Sequence, residues 1–198
     1  IGKFLTVDEH HWLYRRVPQY WNGVLNQKWK LTYVHEKPGI TLALISGTGL
    51  LKYPNPVKYV DEHKPSVTKE TVSMENFLIA FRLPLVIFNG FFSLFFFWAL
   101  RKITANVWIA LWSAILILLS PVLIGIVQIV NADALLWTFS TAALLSFIAY
   151  LKTEEKKMAA LTALFLGLSM LTKFTAVIIM PFLFVALFVF YLEKIKDW

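Results

Sequence analysis

From Ile103 to Leu151 the chain carries 49 predominantly apolar residues in succession. As one α-helix they would extend about 74 Å at about 1.5 Å per residue, more than twice the roughly 30 Å of hydrocarbon in a bilayer. The stretch must therefore fold back on itself. The break falls at "QIVNAD" (128–133), where Gln, Asn and Asp interrupt the run after Pro121 and Gly125 have weakened the helix. Upstream, "NFLIAFRLPLVIFNGFFSLFFFWALRK" (76–102) has the length of one span and ends on Arg101 and Lys102. Downstream, the 35 residues from Met158 to Leu192 are again too many for one upright helix, and "TKFT" (172–175) divides them into a short hairpin. Residues 76–198 are expected to hold about five spans, which predicts an all-α, polytopic transmembrane bundle. Cations recur at Arg101–Lys102, at Lys152, Lys156 and Lys157, and at Lys194 and Lys196. With the spans drawn this way all three clusters share one side, which the positive-inside rule makes cytoplasmic. Residues 1–75, the "QIVNAD" turn and the "TKFT" turn then share the opposite, external face.

The composition agrees with a membrane chain. Hydrophobic residues make up 58% of the sequence, against about 45–50% in soluble domains. The net charge of +7 suits anionic membrane lipid and phosphate ligands, and no basic nucleic-acid motif accompanies it. Cysteine is absent, so there is no disulfide framework. The chain opens on Ile1 and at once on a polar cluster, so a further span is expected before it and further chain after it.

The polar region, residues 1–75, is too long for a simple connection and too apolar for a linker. Leu13, Val17, Tyr20, Trp21, Val24 and Leu25 form an apolar stripe of helical period, and Trp, Tyr and Arg beside it suggest an interfacial helix bent or divided at Pro18. After "HEKPGI" (35–40), "ITLALISGTGLL" is apolar but too short to cross. "LKYPNPVKYVDEHKPSVTKET" (51–71) reads as a charged, Pro-rich loop, including its Asp61–His63 triplet. In "TVDEHHWLYRR" (6–16), Thr6 and Glu9 have the spacing of a capping box, and Asp8 suits a first helical turn. Adjacent helical residues point about 100° apart, so Asp8 and Glu9 do not form an acid/base pair on one atom. His10, His11 and Glu36 are possible ligands of a divalent metal, but no fixed metal-binding spacing occurs. Walker, Rossmann and G-x-S-x-G patterns are absent.

The ordered set of "DE" with W-x-Y-R, "HEKPG", a span with "FRLP", an Asn/Asp turn and "LTKFTAV" resembles the amino-terminal half of a GT-C membrane glycosyltransferase. It is most similar to glycosyltransferase family 39, which includes the protein O-mannosyltransferases and the lipid A aminoarabinose transferases. The resemblance implies transfer of a sugar from a polyprenyl-phosphate donor to a protein, lipid or glycan acceptor on the outer face of a bacterial or archaeal plasma membrane. It also implies that the first external loop carries a catalytic carboxylate, the place that Asp8 occupies. "HEKPG" stands where the mannosyltransferases usually have a double-proline motif, which leaves the acceptor class open.

That chemistry needs a base at the acceptor hydroxyl and cations at the departing phosphate. Asp8 is the expected base, with Glu9 as the other candidate. Arg82, Lys173 and His35 are expected at the donor phosphate, and Asp133 and Asn131 in support of Lys173 or the acceptor. A lipid-linked-sugar transporter or flippase, or a non-catalytic membrane subunit, is the alternative reading.

Overall fold

The computed structural model describes residues 4–33, 38–59 and 73–196. The described residues form helices and turns, without a strand. Helix α1 (Val7–His11) runs through a π-helical turn (Trp12–Arg16) into α2 (Val17–Leu25). The wide turn, in which the Val17 amide donates to the Trp12 carbonyl, precedes Pro18 directly. A proline ring in an ordinary α-helix presses on the carbonyl four residues back, and widening the preceding turn relieves that crowding. The helix is therefore continuous where the sequence suggested a bend or a division. Its apolar stripe is covered by protein: Leu13, Val17 and Tyr20 are buried in one core with Phe77, Leu78 and Phe81 of the next long helix, and only Leu25 at its end is left exposed.

Helix α3 (Ile40–Ser46) continues into a 3₁₀ turn (Gly47–Leu51), the short apolar segment read from the sequence. Trp21 Nε1 donates to the Ala43 carbonyl at 2.8 Å, fastening α2 to α3. The Ser46 hydroxyl donates to the Phe81 carbonyl at 3.1 Å, fastening α3 to the bundle.

The bundle follows as α4 (Met74–Thr104), the pair α5 (Val107–Leu118) and α6 (Pro121–Val127), α7 (Ala132–Thr153), α8 (Lys156–Thr172), a 3₁₀ turn (Phe174–Ile178) and α9 (Ile179–Lys196). Segments Met74–Thr104, Ala132–Thr153 and Phe174–Leu192 are each long and apolar enough to cross a membrane, and α5 with α6 makes a fourth crossing if the pair, bent by 53°, is one span. The bend follows from Ser120–Pro121: proline has no amide to give to α5 and instead opens α6 at its first position. α8, with 17 residues, is at the short end for a crossing and lies antiparallel on α7. Buried Ala134, Ala142, Ala143, Ser146 and Ala149 let the neighbours of α7 approach closely, the usual device where lipid removes the hydrophobic drive between helices. An aromatic cluster joins α4, α7 and α8: Phe92, Phe95, Phe139 and Phe165 meet at ring separations of 4.8–5.6 Å.

The two ends of the bundle differ in charge. At one end Lys102 Nζ donates to both Glu155 oxygens at 2.5 and 2.8 Å, Lys194 Nζ to both Glu154 oxygens at 2.7 Å, and Lys152 to the Ile103 carbonyl. The cationic clusters expected to share a side do meet there. The other end carries the polar region, the 128–131 break and Lys173.

Candidate active site

Glu9 is completely buried although it sits in the most polar stretch of the chain. Its Oε1 accepts from Arg82 Nε at 2.7 Å and from the Val130 amide at 2.8 Å. Its Oε2 accepts from Arg82 Nη2 at 2.6 Å, from the Thr6 amide at 2.9 Å and from the Thr6 hydroxyl at 3.1 Å. Burial pushes this carboxyl up, but the Arg82 hydrogen bond, the Thr6 and Val130 amides and the Arg82 charge outweigh it and hold the group below the ordinary carboxylate value. Glu9 thus closes the helix start, as its spacing from Thr6 suggests, and in addition binds α1 to α4 and to the 128–131 break.

Arg82 has a different place from the one expected at a lipid phosphate. The side chain is 1% exposed, its guanidinium engages Glu9 with two nitrogens, and Nη2 also donates to the Phe4 carbonyl at 2.8 Å. A buried, bidentate pair of this kind holds its partners in fixed orientation. The missed signal is the pairing of "DE" with "FRLP" across 73 positions, which no local spacing encodes.

Asp8, next to Glu9, is exposed, and its carboxylate accepts no hydrogen bond and forms no ion pair among the described residues. Its charge raises the Arg16 guanidinium, though burial is the larger influence and leaves that group below its ordinary value. Arg16 lies over the Trp12 ring at 4.8 Å. Tyr14 stacks on Phe77 and meets His10 edge-on, and its hydroxyl is buried without a partner among the described residues. Burial and the Glu9 charge push that phenol up to about 12, so it keeps its proton at neutral pH.

A second polar pair stands three residues beyond the Val130 amide. Asn131 caps α7, accepting from the Asp133 amide, while its Nδ2 donates to Asp133 Oδ2 at 3.2 Å. Lys173 Nζ donates to Asp133 Oδ1 at 2.6 Å, with both side chains partly exposed. Three residues of backbone span at most about 11 Å, so the Glu9–Arg82 pair and the Asp133–Lys173 pair belong to one polar end. α3 closes onto the same place. The Gly39 amide donates to the Thr172 carbonyl at 3.0 Å, and the Thr41 and Thr172 hydroxyls are 2.6 Å apart. Gly39 has φ of +60°, and a Cβ there would stand 2.0 Å from Trp12 Cη2. Only glycine lets "PG" pass against the tryptophan of W-x-Y-R, so two motifs distant in sequence make one contact.

His35, Glu36 and the Asp61–His63 triplet lie outside the described residues. His10 and His11 meet edge-on at 5.4 Å between ring centroids. Among the described residues no three His, Asp or Glu side chains converge as a metal site would require. A cavity of about 640 Å³ opens between α2 and the Gly47–Leu51 turn, lined by Trp21, Leu50, Asn55 and other uncharged residues, apart from both ion pairs.

Over residues 29–198 the sequence matches the family PMT, dolichyl-phosphate-mannose-protein mannosyltransferase. The chain belongs to this family. Comparison with curated proteins and with solved structures returned no match. The matched range takes in Arg82, Asn131, Asp133 and Lys173, while Asp8, Glu9, His10 and His11 precede it. Membership makes the protein a GT-C glycosyltransferase of the membrane mannosyltransferase type, and its all-α bundle agrees.

Proposed function

We propose that this mannosyltransferase-family chain moves a sugar from a polyprenyl-phosphate donor to a hydroxyl of a protein acceptor on the outer face of the membrane, with Asp8 as general base. The observation that carries the reading is the contrast between adjacent carboxylates. Glu9 has five hydrogen bonds on its two oxygens and is buried, whereas the Asp8 carboxylate is exposed and accepts no hydrogen bond among the described residues. A base must reach the proton it removes, so exposure supports Asp8 over the buried Glu9 for the role.

In the proposed step Asp8 takes the proton of the acceptor hydroxyl as its oxygen bonds to the anomeric carbon. The bond from that carbon to the phosphate oxygen breaks, and the polyprenyl phosphate leaves with the electron pair. Its growing charge is met by Lys173, whose ammonium keeps donors beyond the one given to Asp133. Asp133 and Asn131 hold that lysine in place. Arg82 acts here through Glu9, fixing the turn that presents Asp8. The outer-face assignment rests on the cationic girdle at the opposite end.

The test is transfer by the purified full-length protein from polyprenyl-phosphate mannose to a Ser/Thr peptide. Asp8→Asn keeps the shape and removes the basicity, and should lower turnover about 10²–10⁴-fold with donor still bound. Near-normal turnover in that variant would remove Asp8 from the role. No transfer from the mannosyl donor, with transfer from another polyprenyl-phosphate sugar, would change the sugar and keep the site.

A further inference from the structure

At the end of the bundle opposite the candidate active site, Lys102 of α4 and Lys157 of α8 both lie over the ring of Trp98, each ammonium 5.5 Å from its centroid. Having one centroid in common, the two charges are no more than about 11 Å apart. Lys102 is balanced by Glu155. Lys157 has no carboxylate partner among the described residues, nor have the exposed Arg101 and Lys156 beside it. Lys152 gives its ammonium to the Ile103 carbonyl, which leaves its charge unopposed as well. With the Lys194–Glu154 pair of the same turn, the corner holds six cations and two acids among the described residues, and two of the cations lie over one aromatic ring.

From that corner the surface turns apolar. On α4, Leu94 stands one turn from Trp98 and is 65% exposed, and on α8, Leu164 stands two turns from Lys157 and is 55% exposed. Trp98 itself packs on Phe95 at 5.6 Å, and Phe95 on Phe165 at 4.8 Å, so the indole is backed by the aromatic core. Charge above, an indole at the boundary and bare aliphatic side chains below match the order of chemistry along a phospholipid.

The geometry points to a binding site for one anionic phospholipid at this corner, its headgroup phosphate held by Lys157, Lys156 and Arg101 and its acyl chains lying along Leu94 and Leu164. Lys102 and Glu155 act as the fixed wall. Such a lipid would tie the α4 end to the α7–α8 turn from outside. The site is remote from the sugar-transfer chemistry and does not rest on it.

The full chain, extracted in detergent with an equimolar mixture of phosphatidylglycerol and phosphatidylcholine, is examined by native mass spectrometry for retained lipid. Wild type should retain the anionic lipid in preference, and each lysine removed in Lys156→Gln and Lys157→Gln should lower that preference about fivefold. A control pair at the other end, Lys52→Gln with Lys58→Gln, makes the same change in net charge and should leave it intact. Equal retention of both lipids by wild type, or an equal loss in the control pair, would overturn the site. Displacement of the lipid by millimolar inorganic phosphate would show that a free anion suffices, and would overturn the assignment to lipid. Circular dichroism of the variants at wild-type helicity excludes loss by unfolding.

Discussion

Glu9 and Arg82 are the residues whose replacement separates stability from chemistry. Glu9→Gln keeps the size of the side chain but takes the carboxylate of the buried Glu9–Arg82 pair away from the guanidinium. Breaking a buried pair from one side costs about 3–5 kcal/mol, so this variant should be strongly destabilised, unlike an ordinary capping-box change. Glu9→Met with Arg82→Leu removes both charges and should be more stable than Glu9→Gln alone; thermal unfolding in detergent compares them. The same pair sets an acid limit. Because the folded carboxyl lies below its ordinary value of 4.5, the stability it contributes is fully present above that pH and is lost as pH falls through the lowered folded value. Unfolding temperature should hold level from neutral pH down to about 4.5 and fall below it, and Glu9→Met with Arg82→Leu should flatten that fall. The sequence allowed either carboxylate as base because adjacent positions differ only in direction. Burial distinguishes them, and burial here is created by a partner 73 positions away.

At the scale of elements, the helix boundaries were legible where an apolar run was cut by groups that lipid cannot solvate. The breaks expected at 128–133 and 172–175 fall at 128–131 and at Lys173. The polar region was less legible. Its apolar stripe has the period of a helix wherever it lies, and only the three-dimensional contact with Phe77, Leu78 and Phe81 shows that protein covers it. Likewise Pro18 signals a disturbance without saying that a π-helical turn absorbs it. The union of these elements depends on Gly39. In Gly39→Ala the new methyl must displace Trp12 while the backbone keeps a left-handed conformation, and a cost of about 1–3 kcal/mol is expected. Trp12→Leu in the same chain opens the space and should recover the steric part of that loss, read from unfolding temperatures of the single and double variants. Full recovery is not expected, since the φ of +60° remains.

Taken whole, the molecule separates its charge between the ends of an apolar bundle, with carboxylates and cations paired for positioning at one end and a surplus of cations at the other. The even return of Arg101–Lys102, Lys152–Lys157 and Lys194 made that polarity readable from the chain alone, because each span reverses direction. In the proposed orientation the end bearing Asp8, Asp133 and Lys173 faces outward. The chain has no cysteine, so single cysteines report position without a background. Cysteines placed at Asn55 and at Lys156, both exposed, are treated in intact cells with a membrane-impermeant maleimide. Labelling at 55 and protection at 156 until the membrane is opened is the predicted result; labelling at 156 with protection at 55 would contradict it.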